Sequence, residues 1–201
     1  MGGQKRFLLS VAIFWALLIL SATILVYSVL SANYWLLLIP TLFFGLVLYL
    51  TVFIRRDAAY VPTPEPIIKR MLELAEVKLG ETLYDLGSGD GRILIVAARD
   101  FGAKAIGIEI DRRLVATSLQ RLRAEKLEEK VKVTEGNFFT TNIGDADVVT
   151  LYLRQDTNNR LGAKFKRELK PGTRIVSYTF HITGWTPTKV DEKTPIYLYT
   201  V

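Results

Sequence analysis

The segment Tyr84-Asp85-Leu86-Gly87-Ser88-Gly89-Asp90-Gly91-Arg92 restricts the fold of this chain more than any other. Three glycines within five residues lie between a short apolar run at 82–86 and a stretch of helical period at 91–101. Glycine tolerates positive φ and lets the backbone approach another group closely, so this spacing predicts a tight strand-to-helix turn. In an open α/β sheet such a turn lies at the carboxyl end of the strand, where ligands bind.

The rest of the chain extends the same alternation. Apolar positions at 65–79 recur with helical period, with Gly80 as the expected stop. Strands are then expected at 103–110, 131–135, 146–153 and 174–180, and helices at 112–126 and 157–169. Two final runs, 186–190 and 196–201, read as a closing antiparallel pair. Strands alternating with helices predict an α/β domain, a mostly parallel sheet doubly wound by helices. Residues 57–201 are enough for one such domain.

Residues 1–56 are different in kind. They contain no Asp or Glu, and their only charges are Lys5, Arg6, Arg55 and Arg56. Those four carry most of the formal net charge of +6, leaving 22 basic against 20 acidic side chains in 57–201. The sequence pI near 9.5 is therefore no sign of a nucleic-acid-binding domain, and no nucleic-acid partner is expected. Apolar runs at 7–30 and 34–54 are each long enough to cross a bilayer. Hydropathy thus predicts a two-helix transmembrane hairpin over 1–56, with the bilayer as a partner. The flanking basic residues place the N-terminus and the 57–201 domain on the cytoplasmic side. A proline-punctuated linker, 57–66, follows. The chain has no cysteine and a single histidine, His181, so neither disulfides nor a metal site is expected.

The loop residues narrow the ligand. Asp85 and Asp90 bracket the glycines, and two carboxylates would repel the pyrophosphate of a dinucleotide. Arg92 also occupies the position where a dinucleotide fingerprint places its third glycine. S-adenosylmethionine carries an ammonium and a sulfonium and no phosphate, so acidic neighbours suit it. Its expected site comprises Asp85, Gly87, Ser88, Gly89, Asp90 and Gly91, with Glu109 at the tip of the next strand accepting the ribose hydroxyls. Asp111 is read as the cap of the following helix. After the third strand, Asn137 is placed to bond the adenine amino group and Phe138 to cover the ring.

Tyr60-Val61-Pro62-Thr63-Pro64, then Asp85 to Arg92, then Gly107-Ile108-Glu109 together resemble a small protein-lysine methyltransferase family. That family includes the mitochondrial enzymes acting on the ATP synthase c-subunit and on the adenine nucleotide translocase, with short archaeal relatives. The resemblance covers 59–201, including Gly184-Trp185-Thr186-Pro187. It implies a seven-strand class I (Rossmann-like) methyltransferase core, S-adenosylmethionine held by the glycine loop and Glu109, and methyl transfer to a lysine of a protein substrate. An apolar N-terminal membrane segment is in keeping with the mitochondrial members.

Such a transfer needs alignment and exclusion of water more than it needs a strong base. Deprotonating a lysine at neutral pH costs about 4 kcal/mol, which desolvation and a nearby sulfonium both reduce. Tyr60, Thr63 and Tyr152 are the expected channel residues. His181 is read as structural, and the basic run Lys164, Lys166, Arg167, Lys170 and Arg174 as the solvated face of a helix. The competing readings are a methyltransferase of a lipid, quinone or other small molecule, and a non-catalytic S-adenosylmethionine-binding membrane protein.

Overall fold

The computed structural model describes residues 16–24, 26–27, 29–31, 38, 41–47 and 61–201. The chain divides into two compact units, 1–56 and 57–201.

In the first unit the described residues are helical apart from the turn at Ser31. Ser21, Thr23 and Ser31 satisfy their hydroxyls by donating back to the carbonyls of Leu18, Ile19 and Tyr27 at 2.7–2.9 Å. The hairpin spans expected at 7–30 and 34–54 lie partly outside the described residues. Among the described residues, no helix is long and apolar enough to cross a membrane. This finding overturns the expected two-pass localisation with a cytoplasmic catalytic domain. Hydropathy measures how apolar a run is and does not by itself establish a span.

In the second unit the elements follow as α1 (Glu65–Leu74), β1 (Thr82–Leu86), α2 (Arg92–Asp100), β2 (Lys104–Glu109), α3 (Arg112–Ala124), β3 (Val131–Glu135), β4 (Val148–Leu151), α4 (Gln155–Glu168), β5 (Arg174–Tyr178), β6 (Lys189–Asp191) and β7 (Ile196–Thr200). The seven strands form one sheet in the order β3-β2-β1-β4-β5-β7-β6. β1 to β5 are parallel, and β7 runs antiparallel to β5 and β6. The order reverses between β1 and β4, which opens a crevice at their carboxyl ends.

Strand alternation feeds two apolar layers. Leu83, Ala105, Val148 and Val176 pack with α1 and α2 on one face. Tyr84, Leu86, Val149 and Ile175 pack with Leu161 and Phe165 of α4 on the other. α1 stops one turn earlier than expected. Glu76, at φ 51°, takes the left-handed position that the sequence suggested for Gly80. Its N–H donates to the Glu73 carbonyl and that of Val77 to the Leu72 carbonyl, which is a Schellman closure without glycine.

Two members of the basic run, Arg174 and Lys164, belong to the internal framework, contrary to the solvated face expected of them. Arg174 donates to the carbonyls of Ala75 and Glu76 at 2.8 and 2.7 Å and pairs with Glu81 at 2.6 Å, tying the end of α1 to β5. Lys164 is buried, donating to the Thr141 carbonyl at 2.7 Å and pairing with Glu168. Lys170 pairs with Asp147 at 2.8 Å. Lys166, Arg167 and Lys170 do face solvent. A run of like charges in sequence does not reveal which carbonyls and carboxylates the fold brings to it.

Candidate active site

The turn after β1 is made by backbone geometry. Gly87, Gly89 and Gly91 adopt φ of 82°, 54° and 79°, which L side chains occupy only at a cost. Gly91 shows the constraint most clearly, because a Cβ there would lie 2.1 Å from Ser118 Oγ of α3. Gly87 meets the other wall, where a Cβ would stand 2.9 Å from Leu153 Cδ2 and 4.0 Å from Phe138 Cε1. The loop is thus clamped between α3 and the chain leaving β4. Gly107 of β2 makes room for Ser88, whose Oγ would come within 2.6 Å of a Cβ at that position.

Three carboxylates converge on this turn, each in a different state. Glu109 is buried, and its Oε2 accepts from Gly89 N at 2.9 Å. Its Oε1 accepts from the N–H groups of Ile110 and Asp111, both at 2.8 Å. The carboxylate therefore ties the tip of β2 to the glycine loop and retains unused acceptor capacity on Oε2. Asp90 is also buried but turned to cations. Its two oxygens accept from Arg92 at 2.9 and 2.8 Å, and Arg121 of α3 pairs with it as well. Arg92 reaches on to the Thr63 carbonyl at 3.1 Å, so this cluster fastens the segment before α1 to the loop. Asp85 has neither cations nor backbone donors among its recorded partners. It is 2% exposed and accepts from Thr150 Oγ1 at 2.7 Å. Burial pushes its carboxyl up to about 7, against the lowering effect of the Thr150 bond, and the charges of Glu109 and Asp90 raise it further.

The β4–β5 half of the crevice is aromatic. Register pairs Leu86 with Leu151 and Leu151 with Ser177, so the next residues, Gly87, Tyr152 and Tyr178, follow in a row across three strands. Tyr152 and Tyr178 are half-buried, their rings 4.7 Å apart and inclined at 44°. Beyond β3, Asn137 Oδ1 accepts from Phe139 N at 2.9 Å and closes a turn. That turn holds the Phe138 ring beside Phe139 at 4.8 Å, near Gly87.

The expected cofactor residues Asp85, Gly87, Ser88, Gly89, Asp90, Gly91, Glu109 and Phe138 thus gather around one turn. Asp90 faces Arg92 and Arg121 instead of open space. Asn137 stands at the rim with its amide oxygen already engaged. Thr63 is buried, held to the loop through Arg92. Tyr60 lies outside the described residues. His181 is exposed, its ring edge-on to Tyr197 at 6.2 Å. Sequence reasoning missed Ile110, which is 70% exposed beside Glu109. An apolar residue directly after the acidic strand tip was the available signal. It also missed Tyr178, which reads as an ordinary core aromatic. Among the described residues no group of acidic or histidine side chains is placed to hold a metal ion.

The donor set fits S-adenosylmethionine. It offers a free acceptor on Glu109, a buried carboxylate without a countercharge among its recorded partners at Asp85, and apolar surface at Ile110 and Phe138. Residues 85–189 match the family described as "ANTKMT methyltransferase domain". A protein-lysine N-methyltransferase of Saccharolobus islandicus is 46% identical over 132 residues, covering 65% of this chain and 82% of that protein. A human lysine N-methyltransferase named for the C subunit of ATP synthase is 29% identical over 131 residues, covering 65% of this chain and 55% of that protein. Among solved structures, one described as an RNA methyltransferase from Salinibacter ruber in complex with S-adenosyl-L-homocysteine superposes with a TM-score of 0.69. It is 43% identical and matches 70% of this chain and 94% of that one. The chain belongs to the ANTKMT methyltransferase-domain family and is an S-adenosylmethionine-dependent methyltransferase.

Proposed function

We propose that residues 57–201 form a catalytic domain that methylates lysine side chains of a protein substrate. One observation carries the reading: among the described residues, the acceptor half of the crevice presents the Tyr152 and Tyr178 rings, and no carboxylate is recorded against them. Asp156, the nearest carboxylate in sequence, is exposed and pairs with Arg154 at 3.4 Å. A lysine amine reaches its reactive form by desolvation, so aromatic surface without a base suits it. The names of the archaeal and human relatives support the same substrate class.

When bound, S-adenosylmethionine supplies an electrophilic methyl carbon: the amine lone pair forms the new C–N bond, the C–S bond breaks to a neutral thioether, and the nitrogen loses a proton. The chain's own residues do the positioning. Glu109 offers its free acceptor site to the ribose hydroxyls, and Asp85 offers its charge to the ammonium. Gly87, Ser88, Gly89 and Gly91 form the cradle. Ile110 and Phe138 give apolar cover to the adenine, with Asn137 at its rim. Asp90 acts through Arg92 and Arg121, holding the loop in shape. Tyr152 lines the acceptor passage, and Thr63 is held behind the loop through Arg92.

The test is to incubate the full chain with methyl-labelled S-adenosylmethionine and a lysate of the source organism, then separate protein, RNA and lipid. Label recovered as methyl-lysine, and lost with Glu109→Ala, is the expected result. Label in RNA would replace this reading with the one suggested by the Salinibacter ruber relative, and label in lipid with a small-molecule acceptor.

A further inference from the structure

Tyr178 packs partly against the apolar layer under α1 and α2, yet the Tyr152–Tyr178 pair has a position and a construction that point to a further role. Strand parity puts both rings on the face that carries Asp85 and Thr150, because Thr150 pairs with Asp85 on one side and with Val176 on the other. The pair therefore stands beyond Asp85 on the same face, in line with Gly87, at about 4.8 Å per strand. Both rings are half-buried at the open end of the sheet, where a core aromatic would be covered.

The backbone behind Tyr178 is strained. Thr179 sits at φ 70°, a conformation that is rare for a β-branched residue. The Phe180 N–H donates to the Tyr178 carbonyl at 2.9 Å, which makes Thr179 the centre of a tight three-residue turn. The Thr179 N–H is fixed to the Pro195 carbonyl at 2.6 Å. The Ser177 hydroxyl and the Asn158 amide both donate to the Phe180 carbonyl, at 2.6 and 3.0 Å. Strain of this kind persists only where its surroundings impose it, and it clusters at functional sites. Here it halts β5 at Tyr178 and holds that ring against Tyr152.

We infer that Tyr178, with Tyr152, forms the wall that receives the acceptor ammonium and its methylated forms, and that this pair sets how far methylation of one lysine proceeds. The inference rests on the lysine reading above. Electron-rich ring faces attract quaternary and alkylated ammonium groups, and two adjacent rings do so without adding a charge that would hold the amine protonated. Tyr178 is then a determinant of product state that contributes nothing to cofactor binding.

The experiment compares wild type with Tyr178→Phe, which keeps the ring, and Tyr178→Leu, which keeps apolar volume and removes the π face. The full chain acts on lysate protein, and mono-, di- and trimethyl-lysine are quantified after hydrolysis. S-adenosyl-L-homocysteine binding is measured by calorimetry alongside. The expected result is di- and trimethyl-lysine from wild type and Tyr178→Phe, and a ratio of higher to monomethyl-lysine about fivefold lower in Tyr178→Leu. S-adenosyl-L-homocysteine affinity should stay within twofold in all three. A loss of packing alone would lower all products together and leave their ratio unchanged. Methyl-lysine formation with an unchanged ratio in Tyr178→Leu, or monomethyl-lysine only from wild type, would overturn this inference alone. No methyl-lysine from wild type would overturn the lysine reading and this inference with it.

Discussion

Across β1 and β2 the carboxyl edge of the sheet is fixed by hydrogen bonds to buried carboxylates, whereas across β4 and β5 it is fixed by ring packing and a strained turn. On the first side, Glu109 alone accepts from three backbone N–H groups, and Asp90 is held by Arg92 and Arg121. On the second, Tyr152 and Tyr178 lean on each other, and the polar bonds serve the backbone behind them. The difference follows from the two tasks. A cofactor of fixed shape is best met by a preorganised polar cradle. An acceptor amine that must be desolvated is best met by apolar and aromatic surface.

The sharpest way to break the polar side is Glu109→Ala, which leaves the N–H groups of Gly89, Ile110 and Asp111 without their acceptor. Stranded donors of this kind cost about 1–3 kcal/mol each, so a loss of about 3–5 kcal/mol in unfolding free energy is expected. S-adenosyl-L-homocysteine affinity should fall about a hundredfold or more. Denaturant unfolding and calorimetry check the two effects. Glu109→Gln keeps one acceptor oxygen and should fall between. If Glu109→Ala binds normally, the loop is not held by this carboxylate.

Gly91→Ala tests the same side sterically. It places a side chain at φ 79° and drives a Cβ to 2.1 Å from Ser118 Oγ, with an expected cost of about 2–4 kcal/mol. Ser118 Oγ is buried and without a partner. Ser118→Ala alone should therefore be neutral or slightly stabilising, and combined with Gly91→Ala it should recover part of the loss. A double-mutant cycle showing strict additivity would disprove the contact.

Asp85 gives the comparison a pH signature. Its carboxyl is raised to about 7 in the fold, against an ordinary value near 3.9 in the unfolded chain. Between roughly pH 4 and 7 the folded state retains a proton that the unfolded state has released, so this group makes stability fall as pH rises and level off above about 7. Asp85→Asn, which can still accept from Thr150, should remove that slope and stabilise the free protein at pH 8 by about 1–3 kcal/mol. Pairing with the ammonium group of the ligand requires the ionised form. Wild-type affinity for S-adenosyl-L-homocysteine should then rise about tenfold from pH 6 to 8, and that of Asp85→Asn should not. A flat wild-type profile would remove Asp85 as the countercharge.

The polar side was legible in the sequence because its requirements are local. Positive φ at Gly87, Gly89 and Gly91 demands glycine, an acid must stand at the tip of the next strand, and Asp111 caps α3 by accepting from Arg113 N at 2.9 Å. What joins distant residues was not legible. Asp90 read as a ligand group because Arg121, 31 positions away, gives no local signal. Lys164 and Arg174 read as surface because their carbonyl partners lie on other elements. The end of α1 was misplaced because Glu76 makes a turn normally left to glycine. Tyr178 went unnoticed because an aromatic ending a strand looks like any core residue until register sets it beside Tyr152. In residues 1–56 the apolar pattern is a property of composition, and among the described residues no helix is long and apolar enough to cross a membrane.

The smallest expected effect bounds the aromatic side. His181 follows β5 by three residues, the only histidine in the chain, and in the crevice it would be the natural base. Its side chain is exposed and touches Tyr197 edge-on at 6.2 Å. The Gln155 amide donates to its backbone carbonyl at 2.6 Å, a bond that any residue there would keep. His181→Ala should therefore leave stability within about 0.5 kcal/mol. Methylation should change less than twofold, with the pH–rate profile unmoved between 6 and 8. A loss of tenfold or more, or a shifted acid limb, would place a titrating base on the β5 side. The contrast between a polar cofactor half and an uncharged acceptor half would then fail where it matters most.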